Sequence, residues 1–469
     1  MTTMTQNSAL LKELFKLLAA QRPVVKQGRT FQRIIGLVLA EMFTFSRHTV
    51  TQLLMSLGLT EQDWSTTYRL FSQGRFDYAR ASEILLEESL THVAEDSVYV
   101  VAGDGTQTPR SSGKIEGSGW LRNLRSPHFK VGIHRAQRWF NGSWLMPPEQ
   151  GYSRAMPLRW MPAFTRKSKP VVYAPSKEWE AAVSFLSWLR EQFTRQGRAA
   201  QRLLMVADGS YDHLELWKQL PDQVILLARS AKNRALYSLP GPDAHRNRKY
   251  GERAPTPQSF WQQRSGWTRI TLVLRGRERT LQYKVKGLFV RKGAPQRPLF
   301  LLIIRGQTYT KYGRTKHREP VPYLVNAVPD GAGGWALPLA ASTLIFWAWQ
   351  RWEIEVCHRE LKASFGLGDK QCWNPLAAVL SVQWSAWVYA LLLLAGYRAW
   401  GLCGGPAVPT LWWRGSGRWS FATLWRAYRA ALWGHHDFRP LCTPFLTDWP
   451  TKQTYLQALR NAVFAAACA

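Results

Sequence analysis

The chain has 469 residues, of which 46% are hydrophobic and 20% charged, the balance of a globular protein and not of a disordered one. Lys and Arg number 62 against 31 for Asp and Glu, a net charge of +31 with a pI near 10.4. A folded protein that basic repels itself unless its ordinary partner is a polyanion, nucleic acid first and an anionic membrane surface second. Five cysteines, Cys357, Cys372, Cys403, Cys442 and Cys468, are odd in number and form no C-x-x-C pair. They predict neither a zinc site nor a disulfide framework, and they suit a reducing cytoplasm. Lys12, Glu13 and Lys16 interrupt the apolar stretch of the first 20 residues, so a secretory signal is not expected.

Residues 1–95 read as helical, with apolar residues at helical spacing over 10–18 and 31–43. Residues 49–57, Gly58 and 60–71 predict a helix, a tight turn and a second helix, with Thr60 and Asp63 spaced as a capping pair. That outline resembles a helix-turn-helix. The region's 10 basic residues nearly balance its 9 acidic ones, so a DNA-binding domain and a plain helical bundle both fit. Strands are predicted over 98–102, 129–133, 203–207 and 224–228, with a helix over 181–189 between them. Strands interleaved with helices imply an α/β sheet with helices packed on it.

Residues 231–320 change character: 21 basic residues less 4 acidic ones leave +17, over half of the chain's net charge. Alternation predicts strands over 267–275, 279–285 and 299–304, and Pro240, Gly241, Pro242, Gly293 and Pro295 mark loops. This is read as a basic β-rich insertion that grips DNA. Helix returns over 341–363. Residues 373–397 carry no charge and are long enough to cross a bilayer. The segment stands alone and includes Ser381, Gln383 and Ser385, so it is read as a buried helix and no membrane partner is expected. Beyond Gly404 the tail interleaves Trp412, Trp413, Arg414, Arg418, Trp419, Trp425 and Arg426, a pattern suited to a nucleic-acid surface. No internal repeat of fixed period is visible.

Two carboxylates occupy matching positions. Asp104 follows Val98-Tyr-Val-Val-Ala-Gly, Asp208 follows Leu203-Leu-Met-Val-Ala, and a glycine comes after each. A hydrophobic strand ending in Asp-Gly puts a carboxylate at the open end of a sheet, where ligands gather in such folds; the same dipeptide is also ordinary turn chemistry. On the helix over 349–362, at about 100° per residue, Arg351, Glu355 and Lys362 share one narrow face. Glu353 and Glu360 fall on the opposite side, where solvation is expected, and Trp347, Ile354, Cys357 and Leu361 form an adjoining apolar stripe. Alone, the trio could be a surface ion-pair ladder.

Two strand-end aspartates followed by R-x3-E-x6-K resemble the DDE transposases of bacterial insertion sequences, in particular the group with a Y-x2-R-x3-E-x6-K signature. The likeness covers roughly residues 98–400, and its most specific part is the segment around Arg351, Trp352, Ile354, Glu355 and Lys362. It implies an RNase H-like mixed sheet flanked by helices, interrupted by a β-rich insertion between the second Asp and the Glu. Glu355 follows Asp208 by 147 positions. On this reading 1–95 is a helical DNA-binding domain, 96–230 the first part of the catalytic core and 231–330 the insertion. Residues 331–400 are then the second part of the core with the Glu helix, and 401–469 a basic aromatic region.

The resemblance implies that Asp104, Asp208 and Glu355 hold two Mg²⁺ ions, for which Mn²⁺ can substitute. Asp104 would bridge them, and carboxylates are the hard oxygen donors such ions take. Cleavage at transposon ends and strand transfer into target DNA would follow, with Arg351 and Lys362 on phosphates. Double-stranded DNA as partner, a homodimer in the synaptic complex, and a bacterial cytoplasmic, nucleoid-associated setting are implied with it. The family's tyrosine position falls on Ala348, so either Trp349 or Trp347 would replace that DNA contact, and Trp335 would stack on a flipped base as in hairpin-forming relatives. The rival readings are a catalytically inactive, domesticated DNA-binding protein, a nuclease without strand transfer, and a membrane-associated basic protein anchored by 373–397.

Overall fold

The structure is a computed structural model that describes residues 2–123, 126–127, 129–241, 247–405 and 418–433. Five helices open the chain: α1 (Thr2–Ala20), α2 (Gly28–Phe43), α3 (Val50–Ser56), α4 (Ser65–Ser72) and α5 (Tyr78–Leu90). Strands β1 (Tyr99–Pro109), β2 (Gly119–Arg122), β3 (Ile133–Leu145) and β4 (Ala155–Pro162) follow, then α6 (Glu178–Arg195), β5 (Leu203–Ala207), α7 (Leu214–Lys218) and β6 (Val224–Arg229). The basic segment supplies β7 (Tyr237–Ser238), α8 (Pro257–Gln262), β8 (Thr268–Leu274), β9 (Arg277–Arg291), β10 (Ala294–Arg305), β11 (Thr308–Lys311), β12 (Arg314–His317) and β13 (Val321–Asn326). A small hairpin, β14 (Val328–Pro329) with β15 (Trp335–Ala336), leads to α9 (Ala341–Gln350), α10 (Trp352–Ala363), α11 (Pro375–Trp400) and α12 (Phe421–Trp433).

Eleven strands form one mixed sheet in the order β2-β3-β1-β5-β6-β13-β10-β9-β7, with β4 also on β3 and β8 on β9. The half formed by β4-β3-β1-β5-β6 has successive antiparallel pairs β4–β3 and β3–β1, with β5 and β6 parallel to β1, which is the RNase H-like arrangement. β5 and the start of β1 are apolar without alternation because helices cover both faces there. On one face α6 lies so close to β3 that a Cβ on Gly142 would sit 2.4 Å from the Phe185 ring. On the other, α10 and α11 pack across β4. Most strands of the basic segment join the core sheet, because β13 pairs with β6 on one side and β10 on the other, while β11 and β12 pair with each other as a separate hairpin.

The charge-free segment is α11, and 89% of its most apolar 18 residues are buried. It is the central core helix, held by α1, α4, α5 and β4. Two local expectations fail. The helix expected from residue 60 starts at Ser65, because the Asp63 carboxylate accepts from the Ser65 amide (2.9 Å) and hydroxyl (2.5 Å), and no cap forms at Thr60. Residues 57–64 therefore connect α3 to α4, longer than the roughly 3–4-residue turn of a helix-turn-helix. The strand expected over 129–133 begins only at Ile133, because Phe129, Val131 and Ile133 all face solvent and no packing selects an extended backbone there.

One buried charge ties the helical layer to the chain beyond α10. Glu41 of α2 is fully buried, 3.1 Å from Lys370 Nζ, 2.5 Å from His48 Nδ1 and 3.0 Å from the Trp384 indole nitrogen of α11. Burial alone would raise its pKa, but Lys370 and His48 outweigh that and bring it down to about 2. Removing Glu41 strands the Lys370 ammonium in the core, so Glu41→Ala should cost about 3–5 kcal/mol in denaturant unfolding. Because the folded-state value is depressed, the stabilisation is complete above the ordinary value of 4.5 and is lost as the pH falls from there through about 2. Glu41→Gln should flatten that part of the acid-unfolding curve.

Candidate active site

The position of the first aspartate follows from strand register. In the parallel pair, Val101 stands beside Met205, Ala102 beside Val206 and Gly103 beside Ala207. The next residue on each strand is Asp104 and Asp208, so the backbone alone sets the two carboxylates side by side. Asp208 ends β5 and turns the chain, its Oδ1 accepting from the Ser210 amide at 2.8 Å. Asp104 differs from its expected place at a strand end, because β1 runs on to Pro109 and Asp104 is paired with Asn141 of β3. Nor does Gly105 mark a turn. It is extended, and a Cβ there would displace the Glu178 carboxylate, which lies 2.1 Å from where that atom would be.

Glu355 lies in the first turn of α10, which packs on β1. Burial raises Asp104 to about 7, helped by the charges of Asp208 and Glu355 and opposed by Arg351. The three acids therefore share one electrostatic site, together with Arg351. Arg351 donates to Glu355 at 2.8 Å, and Lys362 Nζ donates to Thr106 Oγ1 of β1 at 2.5 Å. The other two acids of the helix are not solvated as expected. Glu353 is buried between Arg275 (3.2 Å) and Arg418, and Glu360 is held by Arg154 (3.1 Å) and Tyr389 (2.5 Å). α10 is covered on that side too, by the β8–β9 hairpin and the segment before α12. The apolar stripe of Trp347, Ile354, Cys357 and Leu361 is buried as predicted.

A family model described as DDE superfamily endonuclease matches residues 28–288, more than half of the chain. The chain belongs to that family. The matched span contains Asp104 and Asp208 and ends before Glu355. A comparison with curated proteins gives no match.

Endonucleases of this superfamily generally depend on divalent metal. Three hard oxygen donors, with Asp104 raised by burial first and by the charges of the other two second, suit a divalent cation, which would relieve their mutual repulsion. In the present conformation, among the described residues, no group of three or more His, Cys, Asp or Glu side chains is disposed to hold a metal ion. Glu355 Oε1 accepts from Arg351 instead, so Arg351 competes with a cation for that carboxylate.

The endonuclease also builds features that sequence reasoning missed. Asp212, four residues past Asp208, is buried and accepts from the Trp217 indole (3.0 Å), Ser230 (2.8 Å), Arg234 (2.7 Å) and Arg291 (2.8 Å). It pins the loop after Asp208 to β9 of the basic segment. His358 is buried one turn after Glu355, with Nδ1 3.8 Å from Asp104 Oδ2 and Nε2 3.1 Å from Asn141 Nδ2. Burial, with Lys362 nearby, lowers its pKa to about 3. The only sequence signal for either residue is spacing from a motif acid. Of the aromatic candidates, Trp335 is 38% exposed on the β14–β15 hairpin and Trp349 is half-buried beneath the Arg279 guanidinium, 5.4 Å from its ring. Trp419 and Trp425 are buried in the core and offer no face to a nucleic acid, while Trp412, Trp413 and Arg414 lie outside the described residues.

The two glutamates of the helix separate by measurement. Glu353→Gln leaves Arg275 and Arg418 short of a charge partner and should cost about 1.5–3 kcal/mol of stability. Glu355→Gln removes one partly exposed i,i+4 pair and should cost about 0.5 kcal/mol or less by the same unfolding measurement.

Proposed function

We propose that this DDE endonuclease is a transposase: it cuts DNA at the ends of a transposable element and joins the freed 3′ ends to target DNA. The reading rests on one observation, the β1–β5 register that sets Asp104 beside Asp208 under a helix carrying Glu355. Asp104, Asp208 and Glu355 would hold a pair of Mg²⁺ ions, with Mn²⁺ able to substitute. When bound, such a pair activates the attacking oxygen and stabilises the leaving one. Burial of Asp104 keeps bulk water from screening the charges gathered there. Arg351, freed from Glu355, and Lys362 are cations within the site's field, suited to phosphates flanking the scissile bond. The net charge of +31 supports association with duplex DNA that weakens steeply as salt rises. A synaptic homodimer, Trp335 or Trp349 against the DNA end, and residues 1–95 as a DNA-binding domain belong to the same proposal.

Incubating the full-length protein with DNA carrying the inverted repeats that flank its gene tests this reading. Expected are Mg²⁺-dependent 3′-hydroxyl ends and joined products, with Asp104→Asn, Asp208→Asn and Glu355→Gln each losing cleavage while keeping binding to the DNA end. Cleavage by Glu355→Gln at the wild-type rate would remove Glu355 from the site. Cleavage without joined products would make the protein a nuclease only. Mn²⁺ should also stabilise the protein without DNA by about 2.7 kcal/mol at a hundredfold excess over its dissociation constant, seen as a rise in the thermal unfolding midpoint. Asp104→Asn should abolish that rise.

A further inference from the structure

Four side chains from two strands and a helix form a line that ends on Asp104. Asn141 is the cross-strand neighbour of Asp104 and is fully buried. Its amide lies 3.1 Å from His358 Nε2 on one side, and its oxygen lies 3.1 Å from Ser143 Oγ on the other. Trp160 stands edge-on to the imidazole, at 5.5 Å between ring centres. The far ring nitrogen, Nδ1, faces Asp104 Oδ2 at 3.8 Å.

With Asp104 ionised, as a carboxylate that holds a cation is, one assignment of protons satisfies every member of this line. A lone pair on Nδ1 would point at a carboxylate oxygen, so Nδ1 must carry the proton. A neutral ring then has its lone pair on Nε2, which must accept. Asn141 therefore donates with Nδ2, leaving its oxygen to accept from the Ser143 hydroxyl. Reversing the amide would set Nε2–H against the Asn oxygen and turn the Nδ1 lone pair onto Asp104. Resting on the reading of Asp104 as a metal-holding residue, we infer that His358 is a positioning residue: locked by Asn141 and Ser143 in its Nδ1–H form, it directs an N–H at Asp104 Oδ2 and fixes how that carboxylate meets a divalent cation. The same proton excludes His358 as a metal ligand through Nδ1. Partners of this kind orient a metal-bound carboxylate, and losing one typically weakens metal affinity about 10–100-fold.

The test uses the full-length protein without DNA and reads two quantities besides activity. In the nitrogen-15 spectrum of the histidine rings, without metal, His358→Asn should remove the signal of a neutral ring protonated at Nδ1; loss of an Nε2–H signal instead overturns the inference. Mn²⁺ affinity, from the electron paramagnetic resonance of free Mn²⁺, should fall about 10–100-fold in His358→Leu. It should largely recover in His358→Asn, whose amide places an N–H where Nδ1 stood. His358→Gln, whose amide reaches toward Asn141 instead, should stay weak, and this Asn–Gln contrast decides the matter should the Leu variant fail to fold. Wild-type Mn²⁺ affinity in His358→Leu, or Gln equal to Asn, overturns the inference. Asp104→Asn separates the two levels. If it keeps Mn²⁺ binding and cleavage, the site reading itself fails; if it loses both while His358→Leu keeps them, only the role of His358 falls.

Discussion

The structure turns on a concentration of negative charge inside a strongly positive protein. A parallel strand register sets Asp104 beside Asp208, and a helix packed on the same strand brings Glu355 into their field. Like charges held this close in a buried place resist ionisation. The fold sustains the arrangement because the backbone fixes it: strand pairing and core packing exceed the repulsion of three side chains. What remains is a cluster of carboxylates whose repulsion a cation would relieve, and in the present conformation Arg351 supplies part of that positive charge.

The positive charge of the basic segment has two uses. Arg234 and Arg291 end on Asp212, and Arg275 ends on Glu353. These arginines are structural, joining the loop after Asp208 and the helix of Glu355 to strands far along the chain. Arg297 similarly donates to the Leu220 carbonyl, and Arg305 lies 3.8 Å from the Trp267 ring. The segment therefore braces the catalytic elements as well as adding charge. Because its strands extend the core sheet through β13, a shift in it bears directly on β6 and the loop after β5.

Much of the fold was legible in the chain. Strand β5 runs as predicted over its five residues, and α11 is the buried helix that its lone charge-free stretch and interrupting polar residues suggested. The R-x3-E-x6-K face was readable because helical geometry is local and periodic. The environment of Glu353 and Glu360 was not, because whether a helix has one covered face or two depends on segments distant in sequence. Trp419 and Trp425 show the same limit: cations beside tryptophans suggest a nucleic-acid surface, yet burial decided their use.

The sequence by itself pointed to a polyanionic partner, through a net +31, and to candidate carboxylates, because acids that follow apolar strand runs or share a helix face with cations can be picked out one at a time. Only the tertiary structure decided which atoms meet. The β1–β5 register, the hold of Arg234 and Arg291 on the buried Asp212 and the line from Ser143 through His358 to Asp104 all join residues tens to hundreds of positions apart or depend on strand pairing. Such contacts are set by packing over the whole core, and local propensity carries no record of them.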